Sequence, residues 1–231
     1  MEVGPVSKQI EIFLESGKKK VFAGAINWPG WGRLGKDEST ATANLLLYAP
    51  RYAEIAARAG LNYTLPTGPD ELSIVARVAG STTTDFGATD AHLPIDETPL
   101  TKAELARYEQ LLRGCWAAFD QTVLAAEGQE LRKGPRGGGR ELDKIVAHVI
   151  EADGSYLRSL GWKPSAAKSA VQVERLAALR QDVLSGLKAA AAGEIPRQGP
   201  RGGVRWQPRY FVRRLAWHLT DHQWEIEDRI I

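Results

Sequence analysis

The chain has 231 residues, 43% of them hydrophobic and 25% charged, which fits one large soluble domain or two small ones. A net charge of +2 demands neither a nucleic-acid nor an anionic-membrane partner, and no apolar run approaches the ~20 residues of a membrane span. The single cysteine, Cys115, excludes an internal disulfide, which fits a cytoplasmic location. The first residues lack a charged lead before an apolar core, so no signal peptide is expected.

Residues 7–15 alternate polar and apolar, with Ile10, Ile12 and Leu14 on one face, and predict a strand. A turn at Ser16, Gly17 and Lys18 and a second apolar run over residues 20–26 complete a hairpin. The Trp28-Pro29-Gly30-Trp31 turn follows, then a short strand from Trp31 to Leu34. Asp37 and Glu38 open a helix rich in Ala and Leu that reaches Ala59, with Gly60 as its C-terminal cap. Pro50 falls inside it, so a kink or two shorter helices are expected. Residues 72–79 read as a strand and residues 81–99 as a long loop. Residues 1–98 therefore form a small N-terminal α+β domain.

Residues 99–231 follow a helical pattern. Thr101 and Glu104 have capping-box spacing ahead of an apolar stripe that runs from Leu105 to Leu124. Helices over residues 140–160 and 169–192 follow, and Pro208 suits the first turn of a fourth that reaches the end. This predicts a four-helix bundle, antiparallel between neighbours, in up-down-up-down order.

His218 and His222 are four apart, so a helix places them on one face, one turn apart. The phrase Gly-Pro-Arg-Gly-Gly occurs at residues 134–138 and again at 199–203, each time before a histidine-bearing helix. In up-down-up-down order the two loops share one end of the bundle. His148 and His218 then both lie roughly 12 to 15 Å below it, given a rise of 1.5 Å per residue. Three neutral imidazoles at one height suit a divalent ion such as Zn, Ni or Fe and leave coordination positions open. His148, His218 and His222 are thus the candidate metal ligands, while no catalytic residue is assigned. Glu151, Asp221, Asp143, Glu225 and Asp228 are the candidates for holding the ring N–H groups. Arg136 and Arg201, with Arg205, Arg209, Arg213 and Arg214 adding charge, are candidates for holding an anionic substrate. Cys115 lies in an apolar stripe and reads as core, and the tryptophans as packing. His92 carries no role, and Asp85-Phe86-Gly87 lacks the company of a kinase motif.

His148 in the second bundle helix and the His218/His222 pair in the fourth resemble the DinB-like, or YfiT-like, family over residues 100–231. The resemblance implies an up-down-down-up bundle with a long crossover, three histidines on a divalent metal and a homodimer. In that order His148 and the pair approach from opposite ends and the equal-depth argument has no basis. Characterised relatives include S-transferases that use thiols such as bacillithiol and mycothiol-dependent maleylpyruvate isomerases. A metal-dependent thiol S-transferase acting in stress or detoxification is therefore expected, with a small thiol or anionic substrate and neither nucleic acid nor membrane as partner. The order strand, strand, Pro-Gly turn, strand, helix, strand is similar to HicB-like N-terminal regions. That similarity supports an alternative: a non-enzymatic binding or regulatory protein whose first half contacts a partner.

Overall fold

The computed structural model describes residues 9–133, 139–165 and 172–231. The fold is α+β, a four-stranded mixed sheet followed by a mainly helical region. Strands β1 (Ile10–Ser16) and β2 (Val21–Ala25) form the expected hairpin, paired from Ile12–Ala25 to Ser16–Val21. Its turn is closed by Gly17 N–H donating to Lys20 O at 2.9 Å. The three lysine N–H groups of the turn converge on the Asp85 carboxylate at 2.7 to 3.1 Å, which holds that carboxyl below its usual range.

The third strand, β3 (Gly32–Gly35), starts one residue later than Trp31, because Trp31 closes the preceding turn with its N–H on Trp28 O. The expected helix is broken in two: α1 (Glu38–Leu47), capped by Asp37, and α2 (Ala49–Arg58). Pro50 occupies the first turn of α2, the one place where its missing N–H costs nothing. Gly60, at φ +67°, ends α2 as expected. Strand β4 (Leu72–Ala79) lies parallel to β1 at the sheet edge, giving the order β3-β2-β1-β4.

Residues 81–99 are more ordered than a long loop. They hold a short helix, α3 (Thr82–Phe86), and a 3-10 turn at Pro94–Glu97. Ser81 and Thr84 cap α3 reciprocally. The segment is also tied to β1 by fully buried Glu15. Its carboxylate accepts from the Thr84 and Thr89 hydroxyls at 2.5 Å and from the Asp90 and Ala91 N–H groups.

The remaining helices are α4 (Lys102–Ala126), α5 (Leu142–Leu160), α6 (Gln172–Ala191) and α7 (Pro208–Arg229). Thr101 and Glu104 form the expected capping box, but Leu124 is 60% exposed and does not belong to the inward stripe of α4. The expected up-down-up-down order is overturned. Helices α4 and α7 run parallel: Arg209 bonds Glu104 near both starts and Thr122 bonds Glu227 near both ends. Helix α6 runs against α4, with Arg180 on Asp120 and Lys188 on Glu109. Helix α5 runs against α7, with Trp206 N–H on Ser159 O at one end and Arg229 on Arg140 O at the other. The order is therefore up-down-down-up, and the equal-depth argument falls with the old one.

Sheet and bundle share one apolar core. Ile12, Leu14 and Ala23 of the sheet, Leu45, Tyr52 and Ile55 of α1 and α2, and Leu111, Phe119, Val149, Leu187 and Leu215 of the bundle form a single cluster. A smaller cluster of Phe13, Phe22, Leu93 and Trp217 joins the other side of the hairpin to α7. Every residue of α7 from Arg209 to Thr220 is buried except Arg214. The helix carrying the histidine pair is thus the axis around which both halves pack.

Candidate metal centre

Pro208 starts α7 with a preset backbone angle, and His218 and His222 follow on one face. Helix α5 ends at Gly161, in the left-handed region at φ +102°, with the next N–H turned back onto Leu157 O. Because the two helices are antiparallel and pinned at both ends, height along them is set by distance from the pins. His148 lies eight residues beyond Arg140, and His222 seven before Arg229. The three histidines therefore meet at one height, toward the Arg140–Arg229 end of the bundle, on two helices that run in opposite directions.

The ligand atoms of His148, His218 and His222 all lie within 4.8 Å of one another. His148 Nε2 and His218 Nε2 are 3.3 Å apart, and the ring centroids of the three are separated by 4.5 to 5.1 Å. Two nitrogens each bound at ~2.05 Å across a tetrahedral angle would be ~3.3 Å apart. The His148–His218 pair therefore already has the span of one edge of a tetrahedral site.

The electrostatics agree. Burial holds the His218 ring well below the usual histidine range, and the neighbouring His222 and His148 deepen the effect. Burial, with His222 and Arg140, lowers His148 as well. Both rings are neutral at neutral pH, the state in which imidazole is a ligand. His222 Nδ1 sits 2.7 Å from Glu225 Oε2, and that bond is the first cause of the Glu225 carboxyl falling below its usual range. With the carboxylate accepting, Nδ1 is the donor, which leaves Nε2 as the nitrogen turned to the other two rings. Arg229 grips the other Glu225 oxygen at 2.8 Å. His218 Nδ1 is buried and has no hydrogen-bond partner among the described residues.

Of the five carboxylates expected to support the rings, only Glu225 reaches one. Asp221 pairs with Arg33 at 3.1 Å, and Asp228 with Arg51 and Tyr48. Asp143 is exposed beside Lys144, and Glu151 is exposed on the α5 surface. Glu225 is three residues beyond His222, on the same face, and its carboxylate turns to the ring; Glu151 has the same spacing from His148 but stays exposed.

The expected cluster of anion-binding arginines is dispersed. Arg136 lies outside the described residues. The residues flanking that loop sit at the end of α7, where Arg132 N–H bonds Arg229 O, far from the turn of Gly199–Gly203 that precedes α7. Arg209 is held by Glu104 and the carbonyls of Thr98 and Pro99, and Arg213 by buried Asp96 at 2.6 Å. Arg205 donates to Pro196 O. Arg201 is exposed. Of the described arginines in the group, Arg214 is the one whose charge acts on His218, and its four-residue spacing from His218 is the signal for it. Tyr156, about two turns beyond His148 on α5, also flanks the site, its ring 5.5 Å from that of His218.

Cys115 is fully buried and its thiol is pushed up to about 12 by burial. Trp31 and Trp224 are packed in the core, Trp31 with its Nε1–H on Leu45 O. His92 stacks on Tyr210, with centroids 3.8 Å apart. Among the described residues no helix is long and apolar enough to cross a membrane. Compared with known proteins, the chain matches no family model, no curated protein and no solved structure.

Proposed function

We propose that His148, His218 and His222 hold one divalent metal ion, and that the chain is a metal-dependent enzyme of the thiol S-transferase kind. The observation that carries the reading is the convergence of three imidazoles from two antiparallel helices, two of their nitrogens 3.3 Å apart. The up-down-down-up order adds support, because it is the order that the DinB-like resemblance implies.

A bound ion would act as a Lewis acid, lowering the pKa of a thiol or water that ligates it. The residues of the chain hold and shield that centre. Glu225 fixes the tautomer of His222, Arg229 orients Glu225, and burial keeps His218 from protonating. Three protein ligands leave a coordination position for the incoming group. Cys115 supplies no thiol, being enclosed in the core, so the nucleophile comes from solution. Zn, Ni and Fe all suit three imidazoles, and a reducing cytoplasm suits both the lone cysteine and a free thiol substrate.

Metal analysis of protein purified without a histidine tag tests the reading. About one equivalent is expected, falling sharply in His218→Ala. Less than about half an equivalent, unchanged by that substitution, would sink the site. With metal present, thiol conjugation to an electrophilic aryl halide is expected to stop when a chelator removes it.

A second reading, a binding protein that uses its first half, is favoured by one observation. The edge strand β4 carries Ile74 and Val75 at 37% and 48% exposure. An apolar edge strand invites pairing with another chain. That reading needs no ion, so the same metal analysis separates the two.

A further inference from the structure

Arg214 is partly buried, and among the described residues no carboxylate pairs with it. The other arginines of its helix do have such partners: Arg209 has Glu104, Arg213 has Asp96 and Arg229 has Glu225. Among the described residues its hydrogen bond runs from Nη1 to the carbonyl of Thr89. That leaves the Nη2 and Nε edge of a planar fork, whose geometry matches a carboxylate. Arg214 lies one turn before His218 on the same face of α7, near enough that its charge helps keep that ring neutral.

The surroundings of Arg214 are aromatic. Its guanidinium carbon stands 5.5 Å from the Tyr156 ring centroid and 5.0 Å from that of Trp217. Tyr156 meets His218 edge-on at 5.5 Å and packs on Trp206 at 5.2 Å. Both Tyr156 and Trp206 are partly exposed. An aromatic wall therefore runs outward from the histidines, with one unpaired cation set into it.

We infer that this wall is a subsite for a planar aromatic carboxylate, its carboxylate on Arg214 and its ring against Tyr156 and Trp206. The geometry carries the assignment. A guanidinium held partly out of water without a counter-charge gains from an incoming anion. The flanking π faces favour a flat ring over an alkyl chain. A compact tetrahedral anion would satisfy Arg214 but leave the wall unused. The subsite rests on the metal reading in one respect only: its position makes it the place where a substrate would lie beside the open coordination site.

Titration of tag-free protein with benzoate, acetate and inorganic phosphate, followed by tryptophan fluorescence, tests it, with metal content measured on each sample. Benzoate is expected to bind at least about tenfold more tightly than acetate or phosphate. Arg214→Gln is expected to weaken benzoate at least about tenfold, the loss of a charge-assisted pair, with metal content unchanged. Arg214→Lys keeps the charge without the fork, so its loss is expected to be smaller, and it serves if the glutamine variant fails to fold. Benzoate binding that survives in His222→Ala while the metal is lost supports the subsite as a separate entity. Equal affinity for acetate, tighter binding of phosphate, no binding of benzoate, or Arg214 variants that bind benzoate as the wild type does would each overturn it. An absence of metal with the benzoate pattern intact would count against the metal reading alone.

Discussion

The Thr220 hydroxyl donates to the carbonyl of Gly30 at 2.7 Å, joining the Trp-Pro-Gly-Trp turn to the helix that carries the histidine pair. Thr220 lies between His218 and His222 and is fully buried. Gly30, at φ +99°, lets the turn approach α7, and a Cβ there would stand 3.1 Å from Thr220 Cγ2. The first half of the chain thus fixes the height and rotation of the histidine-bearing helix.

Thr220→Val should therefore destabilise the fold. It keeps the shape but leaves the Gly30 carbonyl without its donor, at a cost of about 1–3 kcal/mol. The melting temperature is expected to fall by about 2–4 °C per kcal/mol in a chain of this size. Gly30→Ala is expected to cost more, since strain at the positive φ adds to the close contact. Thermal denaturation followed by circular dichroism checks both, and a Thr220→Val protein as stable as the wild type would refute the link.

Glu225 should control metal affinity without being a ligand. In Glu225→Ala the His222 Nδ1–H loses its acceptor and the ring its orientation, so affinity is expected to drop about 10- to 100-fold. Glu225→Gln retains an amide oxygen that can accept, so it should fall between alanine and wild type. Competition of each variant against a chelator for Co²⁺ measures this. An alanine variant with wild-type affinity would show that the 2.7 Å contact does not position the ligand.

Cys115 should be inert in the native protein. Its thiol is fully buried and pushed up to about 12, so the thiolate fraction at neutral pH is negligible. A disulfide reagent is expected to find no reactive thiol until denaturant is added, and then one per chain. Rapid labelling of the folded protein would contradict the packing of α4.

Which parts of this were legible in the sequence follows from the range of the interactions involved. The hairpin, the capping box of Thr101 and Glu104, the break at Pro50 and the turn at Gly60 are set by residues within a few positions of one another. The His218/His222 pair was visible for the same reason, and Glu225 stands one turn further on. Bundle order was not visible, because either direction of α6 buries the same stripe. The order shows only in remote pairs, Arg180 with Asp120 and Lys188 with Glu109, which no local pattern announces. The partners of the arginines are hidden in the sequence on the same ground. Arg213 looks like surface charge in a list of neighbours, yet its partner Asp96 is 117 positions away, on the segment that had read as loop. Gly30 against Thr220, 190 positions apart, could not be anticipated from either stretch alone.

Asp153 gives the chain a pH-dependent stability that does not involve the histidines. It is fully buried on α5, one carboxyl oxygen has no hydrogen-bond partner among the described residues, and burial raises its pKa to about 8. In the unfolded chain the group titrates near ~3.9. Between these values the folded state holds a proton that the unfolded state does not. This contribution is complete below pH ~4 and is lost as pH rises through about 8, with a slope approaching ~1.4 kcal/mol per pH unit. Asp153→Asn keeps the shape and cannot ionise, so its stability should not fall over that window on this account. The two proteins are expected to unfold at similar denaturant concentrations near pH 4 and to diverge steadily toward pH 8, with the asparagine variant the more stable. Denaturant midpoints measured across the range decide it. Parallel curves, or a wild type that gains on the variant as pH rises, would mean that Asp153 is ionised and paired in the folded bundle.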